Sequence, residues 1–301
     1  MSGTVEAPKT RPHAPESSGW FAIPAPLARL FKKFPLLTYP PNELPARSPD
    51  VGDVPTLYVF ISDEDALKGL PSFNPSCLRW QTFLKLAGID FRVRPSNNHA
   101  SPTGALPFLL PPSTPSNPRP QNPIGSGKLE QYGLDHGKSK VAENPGSRLD
   151  AYESLLDHHV RNAWLYTLYL SPANAALLAH LYITPTTTSR PVRATLAYQL
   201  RHAAEREILR STGRDAIDPA ALRQGVREAW KALDAVLGDD SWFFGSRVPG
   251  LFDAIVFSYT HLILHDGLDW GDRRLREILA QFPRLLSHRE RVFQRCWGPG
   301  I

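Results

Sequence analysis

Cys77 is the residue best placed to do chemistry. It follows Pro75 and Ser76 at the expected first turn of a helix, where the positive end of the helix dipole lowers a thiol pKa. Two-thiol exchange is excluded, because Trp80 stands where a Cys-x-x-Cys pair needs its second cysteine. Single-thiol or conjugating chemistry through Cys77, or through the neighbouring Ser76 hydroxyl, stays open. His261 and His265 lie four apart on an expected helix with Asp266 next. Leu262 and Ile263 stand between them and no glutamate base is present, so the spacing predicts a pair of partly buried histidines and no metal site. His158-His159 reads the same way. Cys77 and Cys296 are the only cysteines, too few for a disulfide framework or a zinc cluster. Gly245-Ser246 and Gly250 lack phosphate-loop spacing. The sequence thus assigns no metal and no cofactor.

The elements around Cys77 form an ordered series. Residues 55–61 (Pro-Thr-Leu-Tyr-Val-Phe-Ile) read as a buried strand, and residues 62–74 as a loop. A helix follows from Pro75, with Leu78, Phe83, Leu84 and Ala87 facing a core and Gly88 ending it. Residues 91–94 supply the next strand. Leu106-Pro107-Phe108 then puts a proline at the mouth of an apolar run. This is the layout of an α/β thioredoxin-like domain of the glutathione-transferase kind. In that layout Pro107 is expected to be cis, leaving the backbone of Leu106 to hydrogen-bond a cysteinyl ligand. Glutathione-using domains of this kind follow the strand with an acidic residue and a serine that grip the glutamyl end. Here a proline-rich insertion, residues 111–123, intervenes, and Gly125-Ser126-Gly127-Lys128 has no acid beside the serine. The grip is expected to be missing.

Residues 124–132 are expected to close the domain, which then spans 55–132, and the polar segment 133–146 reads as a linker. From 147 to 297 the chain turns helical, giving an all-α second domain. Leu149, Tyr152, Leu156, Val160, Ala163 and Thr167 share one face of a helix over 148–170. Residues 191–210 read as another helix. Asp218 and Pro219 open a third, with Leu222, Val226, Trp230 and Leu233 inside and Gly238 after its end. Residues 251–265 suit the centre of a bundle, and 274–279 and 283–296 complete the set.

Composition narrows the function classes. A hydrophobic content of 42% over 301 residues suits a globular protein with a real core. The net charge of +5 fits anionic lipid or acidic protein surfaces. Nucleic acid is excluded as a partner, since the interleaved basic and aromatic pattern of RNA-binding domains is missing. No run reaches the ~20 apolar residues of a membrane span. Residues 1–18 read as disordered and as neither a secretory nor a matrix-targeting signal. Residues 19–50 are abruptly apolar, with Trp20, Phe21, Ile23, Leu27, Leu30, Phe31, Phe34 and Tyr39 broken by prolines. So much apolar surface on a broken element needs a cover, either a partner's surface, which makes residues 19–50 a docking arm, or the chain's own globular body.

Three stretches together carry a family resemblance: residues 75–85 (Pro-Ser-Cys-Leu-Arg-Trp-Gln-Thr-Phe-Leu-Lys), Arg94-Pro95-Ser96-Asn97-Asn98, and residues 101–108 (Ser-Pro-Thr-Gly-Ala-Leu-Pro-Phe). They resemble the metaxin family, with Cys77, Gly104 and Pro107 as signature positions. Pro249-Gly250-Leu251-Phe252-Asp253-Ala254 resembles the start of that family's penultimate core helix, where Asp253 closes a capping box. Gly250 replaces the usual hydroxyl residue, so only the Asp253 half is expected. The opening at Trp20–Leu27 and Phe34–Pro45, with no membrane span at the C-terminus, is similar to the smaller, peripheral, metaxin-2-like subunit of the fungal sorting and assembly machinery. The resemblance implies a non-enzymatic protein, peripheral on the cytosolic face of the mitochondrial outer membrane. It implies three partners: a β-barrel core subunit, a second metaxin-like subunit, and β-barrel precursors recognised through their β-signal. An anionic lipid surface is a fourth. The rival reading is a glutathione-transferase-like enzyme using Cys77 or Ser76.

Overall fold

A four-stranded sheet is built from β1 (Thr56–Val59), β2 (Arg92–Pro95), β3 (Phe108–Leu110) and β4 (Ile124–Gly125), in the order β2-β1-β3-β4. The computed structural model describes residues 54–112, 122–142 and 146–298. Residues 1–18, the arm residues Trp20 to Tyr39 and most of the proline-rich insertion lie outside them. β1 runs parallel to β2 and antiparallel to β3, and β3 pairs antiparallel with β4. Alternation along β1 sorts its faces. Leu57 and Val59 are fully buried, in one core with Leu109, with Leu78, Phe83 and Leu84 of α2 (Pro75–Leu86), and with Leu129 of α3 (Leu129–His136). On the opposite face Tyr58 stacks on Phe108, its partner in the ladder, at 4.5 Å.

Two expected boundaries move. The segment 62–74 carries a short helix, α1 (Asp63–Leu67), because the Ser62 hydroxyl accepts the Asp65 N–H and caps it. The segment 133–146 begins as helix, since α3 runs on to His136. Gly133 lets α3 lie against α2: a Cβ there would stand 2.5 Å from the Phe83 ring.

The second half is helical. α4 (residues 147–170) alternates between α-helix and wider π-turns at Leu156–Arg161 and Tyr166–Leu170, which periodicity alone does not reveal. α5 (residues 175–183) and α6 (Arg190–Thr212) follow. α7 (Pro219–Leu237) starts where Asp218 accepts the N–H groups of Ala220 and Ala221, and it buries Leu222, Val226, Trp230 and Leu233. α8 (Leu251–Leu264), α9 (Arg274–Leu279) and α10 (Pro283–Trp297) complete it. Every residue from Phe252 to Ile263 is buried, because α8 packs between α2 of the sheet half and α10. The sheet half and the helical half therefore share one core. Among the described residues no helix is long and apolar enough to cross a membrane.

Candidate functional site

The start of α2 is the first place to look for chemistry. Asn74 caps the helix, its Oδ1 accepting the Cys77 N–H at 3.1 Å, while Pro75 takes the first helical position. Asn74 Nδ2 also donates to the Tyr182 hydroxyl of the helical half at 3.0 Å. The Tyr182 ring meets Phe60 and Phe73 edge-on, each at 5.3 Å. The loop before the helix is held as firmly. Gln81 accepts the Ser72 N–H and donates to the Leu70 carbonyl, and the Ser72 hydroxyl donates to the Phe60 carbonyl.

Beneath that loop Cys77 is completely buried. Burial pushes its thiol up to about 12, against smaller opposing contributions from the Phe60 backbone and the Ser72 hydroxyl. This corrects the expectation of a dipole-activated nucleophile: desolvation outweighs the helix end. Burial likewise lifts Cys296 to about 12. Native protein at neutral pH should therefore show almost no reaction with Ellman's reagent, with thiolate roughly a thousandfold scarcer than for free cysteine. Both thiols should react after denaturation. Prompt labelling of the folded protein that is lost in Cys77→Ala would contradict the burial of Cys77.

The second place is the turn before β3. The Leu106–Pro107 peptide is cis. Leu106 is buried, and its N–H donates to Asn98 Oδ1 at 3.0 Å. Asn97 Oδ1 accepts the Ala100 N–H, the Ser101 hydroxyl donates to the Ala105 carbonyl, and Gly104 supplies the left-handed turn residue at φ +75°. The N–H that would meet a cysteinyl ligand is thus already spent within the chain. Ser126 opens the short 3-10 turn Ser126–Lys128, with no acidic neighbour in the chain.

Comparison with known proteins agrees with this topology. Residues 75–174 match the model of the glutathione S-transferase N-terminal domain, and residues 226–292 that of the glutathione S-transferase C-terminal domain. The chain has a glutathione-transferase fold. It is similar to human metaxin-1, 26% identical over 230 residues that cover 73% of this chain and 48% of that protein. Metaxin-1 of Macaca fascicularis is 26% identical over 237 residues, covering 73% of this chain and 71% of its own. The chain thus spans about half the length of the human relative. Among solved structures, the β-etherase LigF of Sphingobium sp. SYK-6 aligns with a TM-score of 0.49 at 14% identity, over 80% of this chain and 95% of its own. Glutaredoxin 2 of Salmonella typhimurium, in complex with glutathione, aligns with a TM-score of 0.48 at 14% identity, over 81% and 95%.

Within this glutathione-transferase fold, Asp253 is a structural hub. Its carboxylate accepts the Gly250 N–H at 2.8 Å, the Phe243 N–H at 3.1 Å and His288 Nε2–H at 2.8 Å. Gly250 stands at the cap because Ala142 crosses it: the Ala142 N–H donates to the Pro249 carbonyl, and a Cβ on residue 250 would lie 2.9 Å from the Ala142 Cβ. His261 is buried, and the rings of His158 and His159 meet edge-on at 5.1 Å. Among the described residues no group of three His, Cys, Asp or Glu side chains comes together to hold a metal.

Asn74 and Asn98, central to both places, carry no catalytic pattern. Asn74 was legible as an N-cap before Pro75. Asn98 bonds a residue eight positions on, and only the folded turn reveals it.

Proposed function

We propose that the chain is a non-enzymatic, metaxin-type subunit of the mitochondrial outer-membrane sorting and assembly machinery. In this reading it sits peripherally on the cytosolic face, beside a β-barrel core subunit and a second metaxin-like subunit, and helps recognise, fold and insert β-barrel precursors. The observation that carries the reading is the Leu106 N–H, which donates to Asn98. Asn98, from the Asn97-Asn98 pair that resembles metaxins, is the residue that takes up the N–H a thiol ligand would need. The similarity to metaxin-1 supports it from the sequence side. Assignment to the smaller, metaxin-2-like kind is carried chiefly by the resemblance of residues 20–45.

Deleting residues 19–45 is expected to release the protein from its membrane complex while the body stays folded. The measurement is co-purification with the β-barrel core, alongside the thermal melt of the variant. Retention in full yield would remove the proposed role of the arm.

One observation favours the enzyme reading: Ser76 is exposed at the start of α2 and lines a cleft. Glutathione-agarose retention with turnover that disappears in Ser76→Ala would establish it in place of the subunit reading. Cys77→Ala is the control.

A further inference from the structure

Ser76 and Arg79 lie three residues apart on α2, hence on one face, and that face looks into a cleft of about 540 Å³. The π-turn of α4 brings Asp157 and Arg161 to the same cleft, and the C-terminal part of α6 brings Glu207 and Arg210. The lining is more polar than apolar, with Pro75, Ile255 and Tyr259 among the polar side chains, and its size is that of a small-molecule site. Three guanidinium groups stand against two carboxylates.

Glu207 is fully engaged. It accepts from Arg161 Nη1 at 2.8 Å and from Arg210 Nη2 at 2.9 Å, and the two arginines hold its carboxyl below the usual range. Arg161 spends only Nη1 on this carboxylate and Arg210 only Nε and Nη2, so each keeps further N–H donors. Arg79 is different. It makes no ion pair with any described residue, its guanidinium lies 5.0 Å from the Trp80 ring centre, and its Nε is buried without a hydrogen-bond partner. A buried donor of this kind is costly to leave unmade. Glu153 stands near enough to feel Arg79, yet burial and the neighbouring Asp157, Glu130 and Asp150 raise its pKa.

We propose that this cleft binds a phosphate group, held by Arg79 and by the remaining donors of Arg161 and Arg210. Guanidinium forks match phosphate oxygens in pairs. The Ser76 hydroxyl adds a donor on the same side. Leu106, Pro107 and Ser126 are not among its walls, so the site is separate from the closed thiol-ligand edge and does not depend on the assembly reading above. The phosphate comes either from a soluble ester or from a lipid headgroup.

Calorimetric titration of the full chain with inorganic pyrophosphate tests it. Saturable binding is expected, weakened roughly tenfold or more in Arg79→Gln and in Arg210→Gln, as the loss of a charge-assisted hydrogen bond implies. Arg210 is largely exposed, so its variant reports even if Arg79→Gln melts early. Arg284→Gln, which removes a surface pairing with Asp239, should bind as the parent does. Flotation with phosphatidylcholine vesicles, with and without phosphatidic acid, separates the sources. Arg79-dependent capture by the acidic vesicles points to a lipid headgroup, and pyrophosphate binding without capture points to a soluble ester. Absence of both pyrophosphate binding and Arg79-dependent capture overturns the proposal, as does binding unchanged in both arginine variants.

Discussion

Asp253→Ala is expected to cost the protein about 3–5 kcal/mol, a large share of the ~5–15 kcal/mol that holds an ordinary domain folded. The carboxylate is 2% exposed and serves three donors at once: the Gly250 N–H at the head of α8, the Phe243 N–H of the preceding turn, and His288 of α10. Alanine leaves two backbone donors and a fully buried imidazole without an acceptor, in a place that water cannot reach without opening the core. α8 lies against both α2 and α10, so the damage should spread to the sheet half and appear as one cooperative transition at lower denaturant. Asp253→Asn should fall between parent and alanine, because an amide keeps one acceptor and turns a donor towards one of the three N–H groups. Asp239→Ala, at a carboxylate 97% exposed and paired among the described residues with Arg284 alone, should change stability by less than about 0.5 kcal/mol. Urea unfolding of the three variants beside the parent is the measurement. An alanine variant as stable as Asp239→Ala would mean that the capping and the His288 contact contribute nothing.

That hub shows what the sequence made legible and what it did not. Asp253 three residues after Gly250 announced a helix start, and the structure has the helix there, with the Gly250 N–H bonded to the carboxylate. The Phe243 and His288 contacts span 10 and 35 residues, and no local pattern encodes them. Local rules also recovered β1, the α2 helix with its buried Leu78, Phe83 and Leu84, and the Asp218 cap of α7. They misjudged Cys77, because a helix end is a local feature whereas burial is set by the Ser72 loop and by Tyr182 of the distant helical half. The arginine cleft was invisible for the same reason. Arg79, Arg161 and Arg210 sit on three separate helices, and a π-turn that departs from helical periodicity helps bring one of them to the wall.

Acid sensitivity is the second large effect, and it should centre on His261. The ring is 2% exposed, lies between Phe257 at 4.9 Å and Phe293 at 5.3 Å, and its Nδ1 faces Arg289 at 3.3 Å. A guanidinium can only donate, so Nδ1 accepts and the imidazole is neutral, with its proton on the buried Nε2. Burial first, then the Arg289 and His265 charges, bring His261 down to about 3. In the unfolded chain the same imidazole titrates near ~6.5. The unfolded state therefore takes up the proton first as pH falls, and folding loses stability from about pH 6.5 downward until the folded state also protonates near pH 3. Between pH 7 and 5 that amounts to about 2 kcal/mol. His265, also lowered by burial and Arg289, acts in the same sense. Glu153, raised by burial, acts in the opposite one, because its folded carboxyl binds the proton before the unfolded one does. Subtracting a His261→Leu variant removes both of these common contributions. Parent and variant should diverge in urea stability by about 2 kcal/mol between pH 7 and 5, the parent falling faster. Parallel curves would mean that His261 is solvated enough to titrate near its ordinary value, which its place between two phenyl rings and a guanidinium does not allow.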